Sequence, residues 1–347
     1  MKRTLSTFLT LILCIFPLLS LSAGKRTIWA YQGNVAYYEQ NGLIGLLHKT
    51  GTRTIIAPIF NEVHPIIGDR ANVRIDQLWG LIDGMGRWIC RPLSVMPIYF
   101  GPEGDYGVFS AEPGHYGFID RKGEVVLETT AYTYAGIMSG GLFTACDGER
   151  YGFVDVKGNV IIDFSFDLAY PFAEGLAAVQ REGKLGYVNK AGEIVIPLEF
   201  EVAGSFCNGL APVRRSGENT TVYIDQTGKV CLQGKWTWGG PFTKDKLALV
   251  LVDGKYGYIN PKGHLTIPAR YEEANAFGDG VASVKSGDSW VFIDKKGKII
   301  SKKYVEAGVY EGGFALVTYV DDGKGGSGEE VTGYINKGRF VVCRRVE

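Results

Sequence analysis

The sequence predicts an all-β fold of tandem repeats, and three observations predict it. One pattern recurs nine times at a step of about 35 residues: aromatic, Gly, aromatic or aliphatic, Ile or Val, Asp or Asn, two residues, Gly. The composition, with 48 Gly, 19 Tyr, 18 Phe and apolar runs of Val and Ile, favours short strands and tight turns over helices. Each copy also carries the same flanking signals, an apolar strand before it and an aliphatic run after it.

Taken in chain order, the first element is a leader. Lys2 and Arg3 precede an apolar run from Leu5 to Leu19, and Ser20, Leu21, Ser22 and Ala23 supply the small residues of a cleavage site. Residues 1–23 are therefore expected to be a signal peptide, leaving 24–347 as a single repeat domain that is secreted, periplasmic or on the cell surface. Ser6, Thr7, Thr10 and Pro17 weaken the run as a membrane anchor, so no stable span is expected once the leader is removed.

The repeats follow. The clearest copies are Tyr116-Gly117-Phe118-Ile119-Asp120 with Gly123, Tyr151-Gly152-Phe153-Val154-Asp155 with Gly158, and Tyr256-Gly257-Tyr258-Ile259-Asn260 with Gly263. The second position of the pattern falls at residues 45, 80, 117, 152, 186, 222, 257, 291 and 333. The last step is longer than the others because it contains the polar, Gly-rich stretch from Asp321 to Glu330.

Upstream of each copy lies Phe-x-x-Gly-Leu/Val-Ala-x-Val, as in Phe172, Gly175, Ala177 and Val179; downstream lies a run such as Ile194-Val195-Ile196-Pro197. Each unit thus offers three strands with room for a fourth. In Tyr116 to Asp120 both faces of the strand are apolar, so both should be covered. Gly inside a strand implies close approach by another group, expected here to be an aromatic ring of the neighbouring unit. Asp-x-x-Gly then turns the chain, the carboxylate bonding backbone N–H groups while Gly takes a positive φ. A lone unit cannot offset about 1–2 kcal/mol of backbone ordering entropy per residue, so the units must stack.

These residues together resemble the bacterial WG-repeat family, also described as KWG repeats. Only Trp79-Gly80 has the namesake pair; Tyr replaces Trp in three copies, and Val222 and Val291 replace the Gly, which predicts that units 6 and 8 are the irregular ones. The resemblance implies a β-repeat array in an exported or surface-associated protein, with no common catalytic activity. Radial repetition gives a β-propeller-like array and linear stacking an open β-solenoid; the propeller is expected, although the chain begins and ends on whole units and offers no swapped strand to clasp a ring.

Lys plus Arg and Asp plus Glu both number 37, so the net charge is zero and the composition carries no footprint for nucleic acid or an anionic membrane. After the leader, Cys90, Cys146, Cys207, Cys231 and Cys343 form no C-x-x-C pair, and Cys90, Cys231 and Cys343 are expected to act as small apolar strand residues. Asp83, Asp120, Asp155, Asp225 and Asp294 recur in every-unit register and alternate with Asn189, Asn260 and Asn336, which marks them as turn residues rather than metal ligands or catalytic acids. His48 and His264 sit in turns, and no metalloprotease, nucleophile-elbow or P-loop pattern occurs. No cofactor, metal or catalytic residue is expected.

What fails to repeat is where function should lie. Trp236 and Trp238, between Lys235 and Gly240, interrupt the register and are the candidate partner-binding residues, one ring facing outward to stack on a sugar or anchor a protein. The expectation is a non-catalytic binding or scaffolding module for an unidentified protein or glycan partner. A secreted hydrolase is the alternative, requiring non-periodic acids such as Glu112, Asp163, Asp245 or Glu273 to converge.

Overall fold

A computed structural model describes residues 27–32, 34–320, 328, 330–336 and 339–345. The expected signal peptide and most of the Asp321 to Glu330 stretch lie outside the described residues. Every regular element described is a β-strand. The expected fourth strand exists in every unit but unit 8, and it is the first of its unit, often only two residues long, as at Glu62–Val63 and Leu168–Ala169.

Six of the nine units are four-stranded antiparallel sheets whose strands pair in chain order. In unit 4 these are Tyr134–Ser139, Leu142–Cys146, Tyr151–Val154 and Val160–Phe166. The second and third strands are joined by tight hairpins whose turn residues have positive φ, as at Glu182 (51°) and Gly183 (75°) or Asp253 (49°) and Gly254 (75°). Units 5 and 6 share one seven-stranded sheet, because Ile194–Ala203 serves as the fourth strand of one and the first strand of the next.

The two apolar faces of the third strand are used as the sequence requires. Phe118 stacks on Phe143 of unit 4, with ring centroids 3.7 Å apart and planes 8° from parallel, while Ile119 joins Leu81, Cys90 and Ile98 of unit 2. Burying one such Phe contributes about 2–3 kcal/mol, part of it from contact between units. In units 5, 6 and 7 the aromatic is Tyr, and its hydroxyl ties the units: Tyr187 donates to the Gly204 carbonyl (2.7 Å), Tyr223 to Gly240 (2.8 Å) and Tyr258 to Asn275 (2.7 Å).

The strand glycine is explained by a different neighbour from the one expected. A Cβ on Gly186 would lie 2.6 Å from the carbonyl oxygens of Ile196 and Pro197, and one on Gly152 2.6 Å from that of Ile162. In these units the approaching group is the backbone of the fourth strand of the same unit, drawn in where that strand bulges; at Gly45 and Gly117 a ring stands nearer still, but it is Tyr38 or Phe109 of the same unit rather than a neighbour's. Where Val222 and Val291 replace Gly, the approach is blocked. Unit 6 keeps only Val230–Leu232 as a fourth strand, and unit 8 is a two-stranded sheet with isolated bridges at Ile293–Ile299 and Trp290–Tyr304.

The turn residues act as read. Asp155 Oδ1 accepts from the N–H groups of Lys157 (2.8 Å) and Asn159 (2.9 Å), and Asn189 Oδ1 accepts from Ala191 and Glu193 (both 3.0 Å). Gly158 and Gly192 complete these turns with φ of 81° and 82°.

The array returns on itself. Phe314 of unit 9 is buried with Val35, Tyr37, Ile44 and Val63 of units 1 and 2, the Tyr334 ring lies 5.8 Å from His64, and the backbone at Gly312 touches Ile67. Strand Thr27–Gln32 runs beside Arg339–Arg345 without joining its sheet. Among the described residues the ends therefore meet by packing, with no strand exchanged, and the architecture is propeller-like.

Candidate functional site

The two candidate tryptophans have separate fates. Trp236 is 4% exposed; it packs with Tyr223, Phe242 and Val250, and its indole N–H donates to the Thr221 carbonyl at 2.7 Å. It is a core residue of the unit 6 to unit 7 contact, which corrects its reading as a partner-binding candidate. Trp238 is 38% exposed and opens the first strand of unit 7, Trp238–Phe242. Gly239 and Gly240, which follow it, are required by the fold: a Cβ on Gly239 would stand 2.6 Å from the Tyr223 hydroxyl, and one on Gly240 3.0 Å from the Trp238 ring.

Trp238 has a partner on its own unit, the ring of Tyr256, 6.3 Å away and nearly perpendicular. The same two places in unit 4 hold Tyr134 and Tyr151, 5.9 Å apart, and Tyr116 of unit 3 extends that pair at 6.4 Å from Tyr134. Tyr134 is exposed, yet partial burial and the neighbouring Tyr151 and Tyr116 hydroxyls raise its pKa above the ordinary tyrosine value. In the units between, Leu168 with Leu185 and Val202 with Thr221 fill these places. Two aromatic pairs thus stand on one end of the strands, each made of the repeat's own tyrosine and a ring, Trp238 or Tyr134, that the units between do not carry.

A third cluster occupies the corresponding end of unit 2. The His64 ring packs 4.7 Å from Trp79, its Nε2 is 3.3 Å from Glu62, and Arg74 pairs with Glu62 at 3.1 Å while lying over Trp79. With Tyr334 against the other side of His64, this cluster is part of the contact that joins unit 9 to unit 2.

The acids that a hydrolase would need are distributed among units 3, 4, 7 and 8, and three of them are held by other partners. Glu112 faces His115 at 3.8 Å, and Glu273 pairs with Lys285 at 2.5 Å. Asp245 accepts from the Gly280 N–H at 2.9 Å and pairs with Lys295 at 2.5 Å. Asp245 belongs to a set that sequence reasoning missed. Glu174 accepts from the N–H groups of Asn208 and Gly209 (both 2.8 Å), and Asp279 from that of Gly313 (2.6 Å), each reaching from the first turn of one unit to that of the next. Their signal in the sequence is an acid in the Phe-x-x-Gly turn, about one repeat before its partner.

Among the described residues no three His, Cys, Asp or Glu side chains gather so as to hold a metal ion. Cys90 is buried as expected, Cys146 is buried too, and burial pushes the Cys90 thiol up to about 11. Cys231 is exposed, contrary to expectation, because it stands second in the fourth strand of unit 6, a place that faces solvent in other units too, as at Ile161 and Val195. The side chain of Cys343 lies outside the described residues.

No curated protein sequence matches the chain. Among solved structures, that of a eukaryotic initiation factor aligns with a TM-score of 0.56 at 11% identity, covering 91% of this chain and 96% of that one, a likeness of fold alone. BamB from Moraxella catarrhalis aligns with a TM-score of 0.47 at 11% identity, covering 74% and 90%, and apo AztD from Citrobacter koseri with 0.45 at 14%, covering 82% and 94%. The family described as WG containing repeat matches seven times, at residues 45–79, 116–150, 151–184, 186–218, 223–256, 256–290 and 292–322. Those matches span more than half of the sequence, and the chain belongs to the WG containing repeat family.

Proposed function

We propose that the protein is a non-catalytic, exported binding scaffold whose contact face is the end of the ring bearing Trp238 with Tyr256 and Tyr134 with Tyr151. The observation that carries this reading is the placement of the exposed rings of Trp238 and Tyr134, each beside the repeat's own tyrosine. A repeat scaffold needs apolar residues between its units, whereas Trp238 and Tyr134 stand at strand ends that neighbouring units fill with Leu168 and Val202. Exposed Trp and Tyr offer large apolar area at low entropic cost, with a polar edge for hydrogen bonding, which suits stacking on sugar rings or anchoring a protein loop.

The test is a binding screen of the intact protein against immobilised glycans and envelope extracts, repeated with Trp238→Ala and Tyr134→Ala. The reading expects a saturable partner whose affinity falls roughly tenfold or more in the Trp238→Ala protein, the loss typical of an interface anchor. A partner bound equally well by both variants would move the contact elsewhere, and hydrolysis of any screened glycan would replace a scaffold with an enzyme.

A further inference from the structure

The turn between the third and fourth strands repeats a contact that aligns the units along one edge. The turn glycine of each unit seats on the fourth strand of the unit before: Gly158 on Leu127, Gly192 on Ile162 and Gly297 on Ile267, each so close that a Cβ would fall within 2.9 to 3.3 Å of the aliphatic side chain. The turns therefore form a continuous row. The third aliphatic residue of each fourth strand lies beneath this row, and the two residues ahead of it face solvent.

Those outward residues are apolar in unit after unit. Val125 with Val126, Val160 with Ile161, Ile194 with Val195 and Ile299 with Ile300 are all exposed, the last two at 51% each. Single exposed aliphatics are ordinary; pairs repeated at one place along a row form an apolar edge. The turns beside them carry exposed cations, among them Lys122, Lys157, Lys190, Lys262, Lys296 and Lys298. The turn Asp carboxylates face inward onto backbone N–H groups, as Asp294 does with those of Lys296 and Lys298; exposed Glu124 and Glu193 stand beside the pairs of units 3 and 5, whereas unit 8 has Lys298 at that place.

The zero net charge of the chain hides this sorting. Residues 295–303 contain five lysines and no acid, wrapped around Ile299 and Ile300. Lys295 is paired with Asp245, and Lys302 lies 4.2 Å above the Tyr319 ring; Lys296, Lys298 and Lys303 are exposed.

We propose that this row of turns, strongest at unit 8, docks the protein peripherally on an anionic lipid surface. Shallow aliphatic pairs spread over successive units fit an extended apolar layer rather than a point ligand, and interleaved lysines match anionic headgroups. Like charge at unit 8 opposes the same place on a second copy. The surface is separate from the aromatic strand ends, so its success or failure leaves the scaffold reading intact.

The experiment is co-sedimentation of the full chain with phosphatidylcholine vesicles, with and without phosphatidylglycerol. The Leu5 to Leu19 run is common to every variant, so the difference between parent and variant reads the row alone. Parent protein should partition onto the anionic vesicles more strongly than onto neutral ones. Ile299→Ser with Ile300→Ser, and separately Lys296→Glu with Lys298→Glu, should each weaken that partition roughly tenfold, and added salt should weaken it further. All four positions are exposed, so melting temperatures should match the parent; Val160→Ser with Ile161→Ser provides a second apolar variant in unit 4. Equal binding to both vesicle types overturns the proposal. So does binding that heparin competes away and the apolar variants leave unchanged, which would assign the lysines to a soluble polyanion.

Discussion

Asp and Asn exchange freely in the turn slot because one side-chain oxygen does the work, accepting two backbone N–H groups. Replacing Asp155 by Asn should leave the melting temperature nearly unchanged, whereas Asp155→Ala should destabilise by about 1 kcal/mol in chemical denaturation, from unsatisfied turn N–H groups. Charge enters only through pH. Hydrogen bonding from Thr227 holds the Asp225 carboxyl below the ordinary carboxylate range, and the Lys298 N–H, with that of Lys296, does so for Asp294. A carboxyl whose pKa is lower folded than unfolded contributes stability that is complete above the unfolded value and is lost as pH falls through the folded one. Acid titration of stability should therefore flatten when Asp225 and Asp294 are both changed to Asn, and an unchanged acid limb would contradict this role. Gly186 is the opposite case, a slot with no tolerance: Gly186→Ala puts a methyl 2.6 Å from two carbonyl oxygens and should cost about 1–3 kcal/mol.

At the scale of the element, the sequence shows most of what the unit is. The aromatic-Gly strand, its Asp-x-x-Gly turn and its two covered faces are legible because they recur in register, and the Val222 and Val291 replacements mark the weak units. The short first strand is not legible, since two residues such as Leu168–Ala169 carry no period. Trp236 and Trp238 show a second limit. Alternation would place residues two apart on one side, but Trp236 precedes the strand that begins at Trp238, so one ring turns into the core and the other out. The acidic staples from Glu174, Asp245 and Asp279 look like solvated turn charges until the next unit is placed beside them. Unit 8, with its fourth strand reduced to isolated bridges, should exchange amide hydrogens fastest across residues 295–304, and protection there equal to that of unit 4 would contradict the account.

For the whole molecule, the repeat establishes that units stack but not that their ends meet, because closure depends on a small rotation between units that no single residue encodes. Phe314, Tyr334 and Gly312 make the return contact with units 1 and 2, and none of them departs from the repeat in a way that announces it. The candidate site was legible only in part: Trp238 stood out as non-periodic, while Tyr134 and Tyr151 sat inside regular copies. Closure bears on function too, since it sets the spacing of the aromatic pairs of units 4 and 7 on their shared end of the strands. Small-angle X-ray scattering of the monomeric protein tests closure most directly. A closed compact ring of this length predicts a radius of gyration of about 20 Å. Nine sheets stacked linearly at about 10 Å each would give a rod roughly 90 Å long, and a distance distribution extended to that length would contradict the ring.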